Sequence, residues 1–276
     1  MKYILISFAA FGVFILAGWM LIRLIDRRHA LSEGQRMVTS AIIAVSIAIV
    51  SFLGFMEVYY HADESVGGYL VSSDTVKVEE IDDAYFFDGP GDSAAVIFYQ
   101  GGKVEETAYA PLMHLMAEQG TDCFLMKLPL RMAELDANAA DDIIERYRDR
   151  NYEWYLMGHS LGGTAAGTYT AYHPDKVRGL ILLAAYPVND QDSSCRLLSM
   201  YGDRDGVLET EAYNRQKTCW PPDSSELVIS GGNHSGMGCY GLQKGDNKAT
   251  ISSDEQQTQV AEAAADFIDK GIEGEK

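Results

Sequence analysis

Two long uncharged segments near the start of the chain constrain its fold more than any other feature. Residues 3–22 and 37–56 are each 20 residues long and contain no Asp, Glu, Lys, Arg or His. A helix of this length rises about 30 Å, which matches the hydrocarbon core of a bilayer, and it satisfies its own backbone polar groups. We therefore predict two transmembrane helices. The alternative, a signal peptide followed by one anchor, is disfavoured by the very short basic start and the absence of an Ala-x-Ala-like cleavage site.

The charges around the two segments predict their orientation. Residues 23–36 between them contain four arginines, whereas acidic residues follow the second segment. Short basic loops stay on the cytoplasmic side. We therefore expect a multi-pass protein of the cell membrane, in which residues 1–60 form a two-helix anchor with a cytoplasmic loop at 23–36. Residues 61–276 are expected to form one domain on the extracytoplasmic side.

The composition of the chain excludes some classes of function. The 276 residues include 40 Asp and Glu against 22 Lys and Arg, for a net charge of −18. The first 60 residues hold only 3 of these acidic and 5 of these basic side chains, which leaves 37 against 17 in the remainder. Such an acidic domain argues against nucleic-acid binding. It indicates no particular substrate, because acidic surfaces also keep ordinary domains soluble.

Short β-like runs alternate with helix-like segments after the predicted anchor. This alternation predicts an α/β domain with a mostly parallel sheet and helices on both faces. The predicted strands cover residues 94–99, 123–127, 154–157, 177–184, 196–201 and 226–230, and the predicted helices cover 108–119, 139–150, 161–172, 208–217 and 254–270. Runs at 75–78 and 80–87 predict an antiparallel edge.

The hexapeptide GHSLGG, residues 158–163, lies between a predicted strand and a helix rich in small residues. A serine on so tight a turn needs small neighbours, which Gly158 and Gly162 supply. Its hydroxyl would project at a helix N-terminus, where the helix dipole favours developing negative charge. The pattern predicts that Ser160 is a nucleophile. His159 would belong to the tight strand-to-helix turn around this serine, which is called the nucleophile elbow.

This arrangement resembles the α/β-hydrolase superfamily over most of residues 94–270. The resemblance implies an acid and then a histidine later in the chain. Asp203 and Asp205 both follow the next-to-last strand, and we favour Asp205 as the acid, with Asp203 as a turn residue. His234 lies in the glycine-rich loop after the last strand and is the candidate general base.

The same resemblance implies an oxyanion hole made by two backbone N–H groups. One would belong to Leu161, directly after the serine. The other would come from the glycine-rich loop after the first parallel strand, either from Gly102 or from Lys103.

A closer resemblance involves several short motifs. They are YQGGKV at 99–104, AYAP at 108–111, KLP at 127–129 and GGNHSGMGCYG at 231–241, followed by Gln243 and Gly245-Asp246. Together these look like the domain-5 type of bacterial α/β hydrolase, which is often carried behind a membrane segment. The chain departs from that type at Gln100, where proline is expected, and at Ser235-Gly236-Met237.

The resemblance implies a serine hydrolase that forms an acyl-enzyme on a carboxylic ester, without a cofactor. The expected partners are a small-molecule or lipid-like ester and the membrane. Two other readings stay open: a non-catalytic binding module with this fold, and an acyltransferase with the same triad. Only residues 185–194 separate two predicted strands where many such enzymes insert a cap, so the site is expected to be open unless residues 130–138 cover it.

The chain contains four cysteines, at positions 123, 195, 219 and 239. Cys195 and Cys219 are expected at the same end of the sheet, and an extracytoplasmic domain permits disulfides, so we predict a bond between them. Neither the cysteine spacing nor a histidine cluster resembles a metal site.

Overall fold

The computed structural model describes Gly18, Met20, residues 23–25 and residues 32–273. The chain divides into two compact units, Met1–Tyr59 and Tyr60–Lys276. Helix α1, Glu33–Met56, belongs to the first unit and has 24 residues. It is long and apolar enough to cross a membrane. The helix predicted over residues 3–22 lies, apart from Gly18 and Met20, outside the described residues.

Helix α1 begins earlier than the sequence indicated. The N–H of Gln35 donates to Oγ of Ser32, and the N–H of Ser32 donates to Oε1 of Gln35. This reciprocal pair is a capping box, which satisfies backbone donors that a helix leaves unpaired at its start. Residues 33–36, assigned above to the basic loop, therefore form the first turn of α1 instead.

The second unit contains one eight-stranded sheet. Its spatial order is β1-β2-β4-β3-β5-β6-β7-β8. The strands are β1 Lys77–Glu80, β2 Ala84–Asp88, β3 Ala94–Tyr99, β4 Asp122–Met126, β5 Glu153–His159, β6 Gly179–Leu183, β7 Arg196–Gly202 and β8 Ser224–Ile229. Strands β3 to β8 run parallel, whereas β1 and β2 pair antiparallel at one edge, as predicted.

Helices cover both faces of this sheet. They are α2 Ala110–Glu118, α3 Ala140–Arg146, α4 Leu161–Tyr172, α5 Thr210–Gln216 and α6 Ser253–Glu273. Side chains on a strand alternate between faces. Val96 and Phe98 of β3 accordingly pack in one apolar cluster with residues of α2 and α6, whereas Ile97 and Tyr99 pack in a second cluster with residues of α3 and α4. The predicted α/β layering is confirmed, although α3 is shorter than the helix expected over 139–150.

The parallel strands bring their carboxyl ends to one edge of the sheet. The loops that follow β3, β5, β7 and β8 therefore meet there, and each carries a residue singled out from the sequence. Residues 184–195, between β6 and β7, contain no helix in the described structure, so no cap is inserted there. Residues 130–138 contribute to two short 3-10 turns, Pro129–Arg131 and Ala133–Leu135.

The predicted disulfide is wrong, because all four cysteines are free in the structure. The Sγ of Cys195 lies 3.3 Å from the carbonyl oxygen of Arg196, and the Sγ of Cys219 lies 3.3 Å from Oε1 of Gln216. Placement at one end of a sheet does not direct two Cβ–Sγ bonds at each other, which a disulfide requires.

Candidate active site

Ser160 occupies a sharp turn between β5 and α4. Its backbone angles are φ 53° and ψ −123°, a strained conformation for a residue with a side chain. A Cβ at Gly158 would lie 2.6 Å from backbone atoms of Gly162, and a Cβ at Gly162 would lie 2.3 Å from the carbonyl oxygens of Tyr99 and Gln100. The turn therefore closes only with glycine at both positions. The N–H of Ser160 donates to the oxygen of Leu183 over 2.9 Å, which fixes the turn to β6.

His234 and Asp205 form a buried pair at the same edge of the sheet. Nδ1 of His234 lies 2.9 Å from Oδ2 of Asp205, and the two side chains are 1% and 3% exposed. Oδ1 of Asp205 accepts the N–H groups of Val207 at 2.8 Å and Leu208 at 2.7 Å. These bonds fix the carboxylate against the imidazole. Nε2 of His234 is buried and has no hydrogen-bond partner among the described residues, which leaves this nitrogen for a reacting proton.

Asp203, the competing acid, has a different set of partners. Its Oδ1 accepts the N–H of Gly231 at 2.8 Å, and its Oδ2 accepts the hydroxyl of Ser230 at 3.4 Å. Asp203 thereby closes the turn that starts the histidine loop, in the manner expected of a turn residue.

The carboxylate of Asp246 connects the acid loop with the histidine loop. It accepts the N–H of Gly206 at 3.0 Å, the N–H of Ser235 at 2.8 Å and the hydroxyl of Ser235 at 2.6 Å. Burial would raise the pKa of Asp246, but the bonds from Ser235 and Gly206 outweigh burial, and the pKa lies below its ordinary value. Asp246 is therefore an ionised carboxylate that joins the acid loop to the histidine loop beside His234.

The side-chain amide of Gln256 on α6 holds the histidine loop from the other side. Its Oε1 accepts the N–H of Asn233 at 3.0 Å, and its Nε2 donates to the oxygen of Asn233 at 2.7 Å. Gln256 is fully buried, so both bonds form away from water. The residue before His234 is therefore fixed by a two-point contact.

The loop after β3 narrows the choice of oxyanion donors. Lys103 was one of two candidates, but its N–H donates to the oxygen of Arg131 at 2.8 Å and is therefore already used. Lys103 also has a left-handed backbone, φ 59°. Gly102 remains as the candidate. A Cβ on Gly102 would lie 2.6 Å from Cδ1 of Leu161, so this glycine lies close to the first residue of α4.

His159 lies behind His234. Their ring centroids are 4.5 Å apart. Burial, and then the nearby His234, hold the pKa of His159 well below its usual value, so the ring is neutral. Its Nδ1 lies 2.7 Å from the hydroxyl of Tyr109, and the same hydroxyl accepts the N–H of Gly101 at 3.1 Å. Tyr109 thus joins the elbow to the loop that contains Gly102.

Sequence reasoning missed Tyr109, Asp246 and Gln256. Tyr109 and Asp246 belong to motifs quoted above, but nothing in those motifs indicated their partners. Among the residues that the structure describes, no group of three or more His, Cys, Asp or Glu side chains could hold a metal ion.

A parallel sheet with a serine turn after β5, an acid after β7 and a histidine after β8 defines the class of α/β hydrolases. The domain-5 model of the alpha/beta hydrolase family matches residues 95–258, and the chain belongs to this family. No curated protein sequence matches it significantly.

Solved structures with the same fold differ widely in sequence. The chain is 14% identical to Est1E from Butyrivibrio proteoclasticus, with a TM-score of 0.52, over 72% of this chain and 99% of that one. It is 11% identical to a soluble variant of monoglyceride lipase from Saccharomyces cerevisiae, with a TM-score of 0.53, over 73% and 96%. It is 13% identical to TT1662 from Thermus thermophilus, with a TM-score of 0.51, over 72% and 98%. At these identities the likeness establishes the fold alone.

Proposed function

We propose that this protein is a membrane-anchored serine hydrolase that cleaves carboxylic esters with Ser160, His234 and Asp205. One observation carries the proposal: the buried 2.9 Å contact between His234 and Asp205, at the edge where the strained turn presents Ser160. A histidine oriented by a carboxylate, with its other nitrogen left for a proton, is the arrangement that activates a serine hydroxyl.

The proposed reaction has two steps. Nε2 of His234 takes the proton of Ser160 as its oxygen attacks the ester carbonyl, and Asp205 stabilises the resulting imidazolium through Nδ1. The N–H groups of Leu161 and Gly102 would stabilise the oxyanion. The alcohol leaves with the proton from His234. A water activated in the same way then releases the acid and restores Ser160.

The proposed substrate is a small-molecule or lipid-like ester. The connection between β6 and β7 adds no helix over the site. Leu161, next to the nucleophile, is 44% exposed and offers apolar surface to an acyl chain.

The proposed location is the membrane, with the catalytic unit on the extracytoplasmic side. Helix α1 is apolar enough to span a bilayer, and arginines precede it while acidic residues follow it. A second span over residues 3–22 completes the proposal.

The test uses the full-length chain in detergent micelles, as wild type, Ser160→Ala and Ser225→Ala. Ser225 is an exposed serine on β8 and serves as the matched control. We expect a fluorophosphonate probe to label the wild type and Ser225→Ala, and both to hydrolyse acyl esters of increasing chain length. Ser160→Ala should do neither. A folded wild type that is not labelled would refute the proposal, and ester products formed with added alcohols would identify acyltransfer.

A further inference from the structure

The catalytic unit begins at Tyr60, and this residue pairs with the loop that carries Gly102. The N–H of Tyr60 donates to the oxygen of Lys103 at 2.8 Å, and the N–H of Glu105 donates to the oxygen of Tyr60 at 2.9 Å. Tyr60 and Val104 thereby form an isolated parallel bridge. The bridge starts two residues after the candidate oxyanion glycine, so it fixes the end of that loop.

The side chain of Tyr60 reaches the other catalytic loop. Its hydroxyl accepts the N–H of Lys244 at 3.1 Å, and its ring centroid lies 5.7 Å from that of Tyr240. Both partners belong to the segment between His234 and Asp246. One residue thus contacts the loop of the proposed oxyanion donor through its backbone and the loop of the proposed base through its side chain.

The residues after Tyr60 repeat this double attachment. The N–H of Ala62 donates to Oε2 of Glu105 at 3.1 Å, on the side of the oxyanion loop. The N–H of Asp63 donates to the oxygen of Cys239 at 2.8 Å, on the side of the histidine loop. Residues 60–63, which we call the strap, therefore connect the two loops.

A continuous series of packed rings leads from Tyr60 to the proposed base. The Tyr240 centroid lies 6.3 Å from that of Tyr109 and 6.4 Å from that of His159. The ring of His159 in turn lies 4.5 Å from that of His234. Because protein interiors are packed as densely as organic crystals, loss of the first ring alters the seating of the next.

We propose that Tyr60 is a positioning residue, which holds the Gly102 loop and the His234 loop in register with each other. The inference rests on the proposed function, because it assigns roles to those loops. Tyr60 acts through other residues and does not touch substrate. Oxyanion donors and a general base must both be aligned to a fraction of an ångström, so a clamp shared by their loops controls turnover more than substrate binding.

The experiment compares full-length Tyr60→Ala, Tyr60→Leu and Tyr60→Phe in detergent micelles. Tyr69→Ala is the matched control, because Tyr69 lies in the same post-anchor segment but packs against His114 of α2. Two experiments are made on each variant: steady-state kinetics, which give kcat and KM for a short acyl ester, and backbone hydrogen exchange at residues 101–105 and 239–246.

We expect Tyr60→Ala to lower kcat by about 10- to 100-fold with little change in KM, a loss typical of misplaced catalytic groups. Exchange should become faster in both loops. Tyr60→Phe keeps the ring and the backbone pairing and should retain kcat within about threefold, with faster exchange at Lys244 alone. Tyr69→Ala should match the wild type in both measurements.

The outcomes separate this inference from the proposed function. Unchanged hydrogen exchange in both loops of Tyr60→Ala refutes the proposed positioning role of Tyr60, whether or not the wild type hydrolyses esters. Faster exchange with an unchanged kcat in Tyr60→Ala would show that residues 60–63 have only a structural role, and this result also overturns the proposal. If Tyr60→Ala fails to fold, Tyr60→Leu, which keeps an apolar side chain, decides by the same criteria. A wild type that shows no activity refutes the hydrolase, and the exchange data then decide the clamp alone.

Discussion

The hydroxyl of Tyr109 lies 2.7 Å from Nδ1 of His159. The same oxygen must accept from Gly101, because a backbone N–H can only donate. The hydroxyl of Tyr109 finds an acceptor when its proton is donated to Nδ1, so that neutral His159 carries its own proton on Nε2, a buried atom without a hydrogen-bond partner among the described residues. His159, the residue before Ser160, is thereby held in one tautomer and one orientation beside His234.

Replacing this hydroxyl tests the arrangement. In Tyr109→Phe, the N–H of Gly101 and Nδ1 of His159 both lose their buried partner, which costs about 1–3 kcal/mol of the free energy of unfolding for each group left unpaired. We also expect a lower kcat, because Gly101 precedes the candidate oxyanion donor. Denaturant unfolding and ester kinetics check both. Tyr172→Phe, at a tyrosine that is 69% exposed, is the control and should behave as wild type.

The two aspartates after β7 make a matched pair. In the proposed mechanism, Asp205→Asn removes the charge that would stabilise the His234 imidazolium, and we expect it to lower kcat by about ten-thousandfold. Asp203→Asn affects only the turn at Gly231 and should lose far less activity. Steady-state kinetics on folded variants distinguish the two, and an equal loss in both would contradict the assignment of Asp205.

The hydrogen bonds of Asp246 predict that its removal lowers kcat while Ser160, His234 and Asp205 are all retained. Asp246→Ala leaves the N–H groups of Gly206 and Ser235 without their acceptor, so the acid loop and the histidine loop loosen together. We expect a kcat lower by about 10- to 100-fold, since a small misplacement of catalytic groups has effects of this size. Asp223→Ala, which removes an ion pair with Arg196 at the opposite end of β7, is the control for loss of a carboxylate.

The buried carboxyl group of Asp122 predicts a pH dependence of stability. Burial raises its pKa to about 6, although hydrogen bonds from Tyr152 and Gly89 oppose the rise. The folded protein therefore binds this proton more tightly than the unfolded chain does. The contribution to stability is complete below the unfolded pKa of about 3.9 and is lost as the pH rises through about 6.

Asp122→Asn replaces the titrating carboxyl group by an amide that does not titrate. The melting temperature should then depend less steeply on pH between about 4 and 6. The amide oxygen can still accept from Gly89. Thermal unfolding across this range checks the difference, with Asp149→Asn, at a fully exposed carboxylate, as control. Parallel curves for Asp122→Asn and the wild type would show that Asp122 does not titrate as described.

Local patterns in the sequence were sufficient for the layers of the fold. Strand β3 is an apolar run buried on both faces, and α4 spans the same residues, 161–172, that its small side chains indicated. The strand, turn and helix around Ser160 were predictable because glycine spacing reports a backbone requirement. The carboxyl ends of parallel strands then explain why Asp205 and His234 meet.

The contacts that hold the site in place were not predictable, because they join residues far apart in the chain. Tyr60 and Lys244 are 184 positions apart, and no local pattern marks either as a partner. The rejection of Lys103 as an oxyanion donor has a similar cause, since it depends on the carbonyl of Arg131 in another loop. The disulfide prediction was wrong because the sequence indicates at which end of the sheet each cysteine lies, but not the direction of its Cβ–Sγ bond.

The strap at residues 60–63 gives proteolytic release of the domain two different outcomes. A protease that cuts between Met56 and Tyr60 would free the catalytic unit with the strap still attached to both loops. A cut after Asp63 would leave those residues attached to the segment that carries helix α1 and would free a domain without the strap. For the anchored hydrolase proposed above, cleavage before residue 60 would therefore release an active domain, whereas cleavage after residue 63 would release an inactive one.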